Sequence, residues 1–334
     1  MHSSGERGIT RKIDEIDAKI IKGLLFNARK NFVDLAAECN ISAVSIGDRF
    51  AELEKAGVIT GSTIQLDHCA LGANATCGVI VKVDKKDTES VVAYIRKIPF
   101  EIPLIIYGGI RTDIYFFTSL KDINDVVHLK EIIRRNNSIL SLRTEIWTGI
   151  RNIPENVEIT DTTQSPKQHR QIYTPPVHRG VGIELDAADF QIIEKLSKNS
   201  MQPFGQIAKE VGTSIKTVSR KYRRLLDNGV IKPIIQVDLL KLGYHAIVTF
   251  ALAIDTQSDI ESVLQEAMTI DGIVLLIKTS GEFDLFIYVL LKDIDQLLST
   301  QDKVAKIPGV SHSELSVFPV WVPWPSASEG ISTF

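Results

Sequence analysis

An internal repeat restricts the possible folds of this sequence more than any other feature. The stretch Asp17-Ala-Lys-Ile-Ile matches Asp189-Phe-Gln-Ile-Ile, which lies 172 residues later. The same offset joins Asn27 with Asn199, Phe32 with Phe204, Ala36 with Ala208, Glu38 with Glu210, Ser42 with Ser214, Leu53 with Leu225, and Gly57-Val-Ile with Gly229-Val-Ile. Turn and cap residues match along with apolar ones, so we interpret the chain as one structural unit written twice.

Each copy begins with a pattern of three short helices. In the second copy a short amphipathic helix ends before Gly212, which suits a tight turn, and residues 213–226 predict a further helix capped by Ser214. The apolar stripe of that helix consists of Val218, Tyr222 and Leu225. Two helices joined in this way predict a helix-turn-helix, whose second helix enters the DNA major groove.

The remainder of each copy alternates strands and helices in the order β-α-β-β-α-β, which is the ferredoxin-like pattern. The predicted segments are 78–83, 89–98, 102–107, 113–118, 123–135 and 142–147, and then 245–254, 260–267, 273–279, 284–291, 294–307 and 313–320. We therefore expect an α+β fold with two copies of an N-terminal winged helix-turn-helix followed by a ferredoxin-like domain. The helix-free face of such a sheet needs a partner, either the other copy or a second chain.

The predicted domains are 13–66 (first winged helix-turn-helix), 67–150 (first ferredoxin-like domain), 151–183 (linker), 184–238 (second winged helix-turn-helix), 239–322 (second ferredoxin-like domain) and 323–334 (tail). The linker prediction rests on proline-containing, non-periodic sequence. Near the end of the chain, Trp321 and Trp324 flank a proline, and we expect them to pack on a neighbouring groove.

Composition excludes several protein classes. Hydrophobic residues make up 44% and charged residues 24%, as in soluble globular proteins. A net charge of −3 argues against indiscriminate binding to polyanions, but clustered cations can still bind DNA. Cys39, Cys69 and Cys77 show neither a disulfide framework nor metal-ligand spacing. Without a signal or membrane-spanning pattern, we expect a cytoplasmic protein with no membrane partner and no metal.

Several motifs occur together in the first copy: Asn27-Ala28-Arg29, the run from Ile41 to Glu54, Gly57-Val-Ile-Thr-Gly61, and Leu71-Gly72. With Ser280-Gly-Glu-Phe-Asp-Leu285 they resemble the leucine-responsive (Lrp/AsnC) family of regulators. That resemblance implies a winged helix-turn-helix and a regulator-of-amino-acid-metabolism (RAM) domain. Such domains dimerise and often bind a small effector between subunits. It thus implies double-stranded DNA as a partner, a homodimer or higher oligomer formed through RAM sheets, an amino acid as a possible effector, and no cofactor.

The two copies differ where DNA would be contacted. The first recognition helix turns Ala43, Val44, Ser45, Gly47 and Asp48 outward with Glu52 and Glu54 behind them, a face that a phosphate backbone repels. We therefore expect the second copy to bind DNA. Its predicted DNA-facing residues are Lys216, Thr217, Ser219, Arg220, Lys221, Arg223, Arg224 and Lys232. Lys216, Thr217 and Arg220 suit base edges. Lys221, Arg223, Arg224 and, in the wing, Lys232 suit phosphates. The alternative is an ordinary solvated helix.

For an effector, the resemblance suggests the turn formed by Thr279, Ser280, Gly281 and Asp284, and its first-copy counterpart with Gly108, Gly109 and Asp113. Exposed backbone beside an acid would suit a small zwitterion. Ordinary turn chemistry is the alternative explanation for glycine and aspartate there.

Two other functions remain open. Siroheme decarboxylases share this layout of two units, but Gln202 stands where their Arg-Pro-Phe segment has arginine. An architectural protein that coats DNA without sequence preference is the other alternative. We expect a DNA-binding transcription regulator and not an enzyme.

Overall fold

The same order of helices and strands occurs twice along the chain. A computed structural model describes residues 12–68, 71, 73–100, 102, 105–107, 113–159 and 183–326. The first copy contains α1 (Glu15–Phe26), α2 (Phe32–Cys39), α3 (Ala43–Lys55), β1 (Ile59–Leu66), β2 (Ala75–Val83), α4 (Thr88–Ile95), β3 (Ile105–Ile106), β4 (Asp113–Leu120), α5 (Asp125–Arg134) and β5 (Ile139–Asn152). The second contains α6 (Ala187–Lys198), α7 (Phe204–Val211), α8 (Ile215–Asp227), β6 (Ile231–Val237), β7 (Ala246–Ile254), α9 (Ile260–Ala267), β8 (Ile273–Ser280), β9 (Leu285–Leu291), α10 (Ile294–Ala305) and β10 (Val310–Pro319). The predicted α+β fold class is confirmed.

The same local signals start and connect the helices of both helix-turn-helix units. Asp14 and Asp186 cap α1 and α6, and each forms a capping box with the aspartate three residues later. The turn between α2 and α3 passes through Asn40 at φ 55°, and the turn between α7 and α8 through Gly212 at φ 73°. Both turn residues are the ones that the sequence predicts, because glycine and asparagine adopt the left-handed conformation at low cost.

The strands that follow the two helix-turn-helix units pair with each other. β1 and β6 form an antiparallel two-stranded sheet, with Ile59 opposite Val237 and Leu66 opposite Ile231. The Thr63 hydroxyl on β1 donates a 2.7 Å hydrogen bond to the Ser197 carbonyl in the other copy. These strands therefore join the copies.

The two ferredoxin-like units form one eight-stranded sheet in the order β10-β7-β9-β8-β5-β2-β4-β3. The copies meet where β5 pairs antiparallel with β8, from Ile146 opposite Ser280 to Asn152 opposite Leu275. The helices cover the outer face of each half, over one apolar core per copy. Edge pairing of this kind satisfies backbone groups that a sheet edge would otherwise leave open.

The inner faces of the two sheet halves pack against each other. Tyr115 on β4 contacts Phe318 on β10, with ring centroids 5.0 Å apart, although these strands lie near opposite ends of the sheet. Ile80 belongs to the same buried cluster as Ala251 and Ile277 from the other copy. The pairing that the sequence leaves open between one chain and two is thus made within one chain.

The predicted linker and tail are partly folded. β5 continues to Asn152, and Val157 is buried beyond it, so the chain stays packed past the predicted linker start at 151. Residues 160–182 of that linker lie outside the described residues. The side chain of Trp324 is 2% exposed, and its backbone pairs with Val237. Among the described helices, none is long and apolar enough to cross a membrane.

Candidate nucleic-acid interface

The helix α8 packs on the second helix-turn-helix through the predicted apolar stripe. Val218 and Leu225 are completely buried and Tyr222 is 7% exposed. Ser214 caps the helix by accepting a hydrogen bond from the Thr217 backbone, and the Ser214 and Thr217 hydroxyls lie 2.9 Å apart. The Thr217 hydroxyl is therefore engaged at the cap, and its side chain is half-buried. Packing on one side leaves the opposite side of α8 available to a ligand.

Three cations lie on that opposite side. Lys216, Arg220 and Arg223 are exposed and form no hydrogen bond or ion pair with any other described residue. They stand at i, i+4 and i+7, so they follow one face of the helix over about 10 Å at 1.5 Å per residue. Ser219 lies half-buried beside them. This cationic face carries no acidic side chain.

Lys221 is not a phosphate contact, and that part of the prediction is wrong. Its side chain is 10% exposed, and its ammonium lies 2.6 Å from Asp186 and 3.1 Å from Asp189. The hydrogen bond from Lys221 lowers the pKa of Asp186 to about 2. Arg224 also pairs with Asp189, although its side chain remains 42% exposed. These four residues form an ionic clamp that fixes α8 to the start of α6.

The first copy contains the same clamp in a smaller form. Arg49 on α3 lies 2.7 Å from Asp14 and 2.9 Å from Asp17. These three residues precede Lys221, Asp186 and Asp189 by 172 positions. Sequence reasoning missed the clamp, although the repeated Asp-x-x-Asp pattern and a cation at the equivalent helix position signal it.

Lys232 is not exposed in a wing, so its prediction as a phosphate contact is also wrong. The residue is 6% exposed, its ammonium lies 3.5 Å from a Glu155 oxygen, and it stands 5.2 Å from the centroid of the Phe26 ring. The cause is the pairing of β6 with β1, which turns Lys232 towards the other copy. The side chain of Lys232 is therefore buried against residues of the first copy and its continuation.

The recognition helix of the first copy presents the opposite charge. Its exposed positions equivalent to Lys216, Arg220, Arg223 and Arg224 are occupied by Val44, Asp48, Ala51 and Glu52. The side chain of Val44 is 74% exposed. Acids at the positions where α8 carries arginines would repel a phosphate backbone.

Arg29 fixes the second helix-turn-helix against the first. Its guanidinium donates 2.6 Å hydrogen bonds to the carbonyls of Ser200 and Gln202. It also lies 4.3 Å from the centroid of the Phe204 ring and 5.2 Å from that of Tyr222. Burial lowers the pKa of Arg29. Arg29 of the first copy therefore contacts both the segment before α7 and aromatic rings on α7 and α8.

Two polar side chains of the candidate effector turn form hydrogen bonds with backbone groups. Asp284 accepts a 2.7 Å hydrogen bond from the backbone of Ile254, and Thr279 donates one of 2.5 Å to the carbonyl of Phe283. Ser280 and Gly281 are exposed. In the other turn Asp113 is buried, while Gly108 and Gly109 lie outside the described residues. Hydrogen bonds to the turn itself and to the end of β7 account for Thr279 and Asp284, and effector binding here stays a prediction.

Two protein-family models match the chain, both within the second copy. Residues 185–232 match a family described as winged helix-turn-helix DNA-binding, and residues 245–318 match the Lrp/AsnC ligand binding domain. The HTH-type transcriptional regulator Ptr1 of Methanocaldococcus jannaschii is 32% identical over 114 residues, which cover 34% of this chain and 76% of that protein. The regulatory protein AsnC of Haemophilus influenzae is 27% identical over 132 residues, covering 39% and 88%.

Solved structures of a siroheme decarboxylase match nearly the whole chain. The siroheme decarboxylase NirDL superposes with a TM-score of 0.61 over 91% of each chain, at 16% sequence identity. Identity at this level shows that the fold is shared and carries no information about the reaction.

Proposed function

Because the chain belongs to the Lrp/AsnC family of transcription regulators, we propose that it is a sequence-specific DNA-binding regulator whose second copy contacts DNA through α8. The observation that carries this proposal is the cationic face of Lys216, Arg220 and Arg223, exposed and unpaired among the described residues. A recognition helix needs such a face, since phosphate contacts supply affinity and guanidinium groups read guanine edges.

Position along α8 suggests a role for each cation. Lys216 and Arg220 lie in its N-terminal half, which approaches base edges when a recognition helix enters the major groove. Arg223 lies one turn further on and suits a phosphate. Ser219 and Thr217 can add hydrogen bonds only at the edge of this face, because both are half-buried. Arg224 adds positive charge beside this face, because its side chain stays partly exposed while it pairs with Asp189.

One chain should read one half-site. In two-fold helix-turn-helix dimers, recognition helices contact half-sites about 34 Å apart. Here the second such position within the chain is the acidic α3, and the β1–β6 sheet with Arg29 holds the copies together. A palindromic operator would therefore require two chains, joined through a surface other than the inner sheet faces.

A decarboxylase function is less well supported than regulation. A siroheme-type substrate carries several carboxylates and needs cations around it. The cavity between the sheet halves measures about 70 Å³, and its described lining contains no lysine, arginine or histidine. An absorbance band appearing when the protein is mixed with a haem-type ligand, together with no DNA binding, would favour the enzyme.

The proposal is tested by selecting bound sequences from random DNA with the intact chain. The parent should enrich one motif, because base-edge contacts discriminate sequences. Arg220→Ala/Arg223→Ala should lose that enrichment. The matched control is Asp48→Ala/Glu52→Ala, which alters α3 and should enrich the parent motif.

Three outcomes would contradict the proposal. Equal enrichment by the parent and by Arg220→Ala/Arg223→Ala would show that these arginines of α8 do not recognise the DNA sequence. Loss of enrichment in Asp48→Ala/Glu52→Ala alone would show that α3 recognises the DNA sequence instead. Binding without any enriched motif would instead support an architectural protein.

An amino-acid effector at the turn from Thr279 to Asp284 remains part of the proposal. It is supported by the exposure of Ser280 and Gly281 at that turn. A panel of amino acids in the same selection would test it, with Ser280→Ala as the variant expected to lose any response.

A further inference from the structure

The inner faces of the two sheet halves leave a cavity of about 70 Å³ between the copies. Strands β2, β3, β4 and β5 line it from the first copy, and β7, β8 and β9 with the C-terminal tail line it from the second. Its walls are largely aromatic, with rings from Tyr115, Phe117, Trp147, Phe286, Tyr288 and Trp321. Concave, mostly apolar spaces with few polar groups are typical of small-molecule sites.

One carboxylate lies in this apolar lining. Glu145 is 4% exposed, and its Oε1 has no hydrogen-bond partner among the described residues. Arg143 on the same strand does not hydrogen-bond to it, because the Arg143 guanidinium binds Glu282 at 2.7 Å. A buried carboxylate without a donor is unfavourable unless it is protonated or neutralised by a bound cation.

The chain makes room for Glu145 and its neighbouring ring. A Cβ at Gly281, in the other copy, would lie 2.9 Å from the Glu145 Cγ atom, and a Cβ at Gly78 would overlap Trp147. At the equivalent place in the second half, the Ser316 hydroxyl lies 3.2 Å from that of Tyr115. The polar side chain at this position therefore has a hydrogen-bond partner in the second half, whereas Glu145 Oε1 has none among the described residues.

We propose that this cavity binds a small organic cation, an ammonium group with a short apolar substituent, with its charge at Glu145. Aromatic rings attract cations through their negative faces, and the carboxylate disfavours anions. The volume corresponds to about five water-sized spheres, so the ligand has about five non-hydrogen atoms. This inference is independent of the DNA proposal, since none of the lining residues lies on α8.

Protonation of Glu145 competes with the cation. Burial raises the pKa of Glu145 to about 7, with Arg143 lowering it and Glu282 raising it further. The nearby Cys77 thiol stays neutral, because burial raises its pKa to about 11. A bound cation favours the ionised carboxylate and releases the proton, so affinity should be about tenfold higher at pH 8 than at pH 6.

The three tryptophans of the chain report on this site, because Trp147, Trp321 and Trp324 all line the cavity. The full chain, labelled with ¹⁵N-tryptophan, is titrated with isobutylamine while the indole N–H resonances are recorded. Isobutanol is the neutral probe of the same shape, and isobutyrate is the anion. We expect saturable shifts with isobutylamine and at least tenfold weaker binding of the other two.

Two variants locate the charge that binds the probe. Glu145→Gln keeps the side-chain size and should remove the preference for isobutylamine over isobutanol. Glu266→Gln removes the same charge from an exposed position of α9 and should leave the preference unchanged. The proposal is overturned if amine and alcohol titrate alike in the parent, if Glu266→Gln acts like Glu145→Gln, or if no indole resonance shifts saturably.

Discussion

The helices α3 and α8 occupy equivalent places in the two copies and differ mainly on one side. Behind each helix the same arrangement recurs, with Leu53 and Leu225 fully buried and Arg49 and Lys221 paired with two aspartates. In front, acids on α3 stand where arginines stand on α8. The comparison distinguishes residues for folding from residues for binding. The clamp and the apolar stripe stabilise the fold, whereas the charge of the outward side chains determines whether DNA can bind.

The clamps themselves differ in strength, and breaking them should have the largest effect. Asp189 is completely buried and pairs with both Lys221 and Arg224, and the equivalent Asp17 pairs with Arg49. Asp189→Asn should cost about 3 kcal/mol of unfolding free energy, because Arg224 and the buried Lys221 both lose a carboxylate partner and, among the described residues, only Asp186 remains beside Lys221. Urea denaturation measures the loss. Asp17→Asn is the matched variant and should cost less; equal losses would show that Arg224 adds nothing to the second clamp.

The sheet halves show a comparable asymmetry, since Glu145 faces the cavity where the other half has Ser316. The folded-state pKa of Glu145 is raised to about 7, so its protonated form favours folding at low pH and this contribution is lost as pH rises through 7. Above pH 8, Glu145→Gln should therefore be more stable than the parent by about 3 kcal/mol. Near pH 4.5 the two should be equally stable.

Urea midpoints of Glu145→Gln and the parent across that pH range check the prediction. A difference that does not depend on pH would mean that Glu145 remains in one protonation state throughout. Ser316→Ala is the control, because serine does not titrate in this range.

Removing two of the cations of α8 should weaken DNA binding by about 100-fold, since a base-edge contact by Arg220 is worth about 1–3 kcal/mol and a phosphate contact by Arg223 adds to it. Fluorescence anisotropy with the selected DNA measures this for Arg220→Ala/Arg223→Ala. Arg223→Ala alone should also reduce the slope of log affinity against log salt by about 1, as expected for one phosphate contact. An unchanged slope would show that Arg223 makes no phosphate contact.

Removing the acids of α3 should have the smallest effect. Asp48→Ala/Glu52→Ala should strengthen binding to the same DNA by no more than about tenfold, because only repulsion is relieved and no contact is gained. The gain should disappear at high salt. A larger gain that persists at high salt would show that α3 also lies against the duplex.

Much of this molecule follows from local sequence patterns. The turn residues Asn40 and Gly212, the cap at Ser214 and the stripe of Val218, Tyr222 and Leu225 all occur as predicted, because each depends on residues within one or two turns of helix. The cations Lys216, Arg220 and Arg223 were also identified correctly as exposed, since they lie opposite that stripe.

The errors concern residues whose surroundings come from distant parts of the chain. Lys221 lies on the flank of α8, and helical spacing does not reveal that Asp186 and Asp189, from α6, cover that flank. The sequence predicted that Lys232 is exposed in a wing. It does not reveal that β6 pairs with β1 of the other copy, and this pairing buries the side chain. The unsatisfied Oε1 atom of Glu145 was missed for the same reason, since Gly281, which approaches this side chain, belongs to the other copy.

The sequence by itself determined the repeat, the order of helices and strands, and the contrast in charge between two related helices. These properties depend on periodicity and on side chains a few residues apart. Only the tertiary structure decided that the copies pair within one chain, that two predicted DNA contacts are buried ion pairs, and that a carboxylate faces an aromatic cavity. Burial and electrostatic pairing depend on which surfaces meet, and surfaces far apart in the sequence meet only when the whole chain has folded.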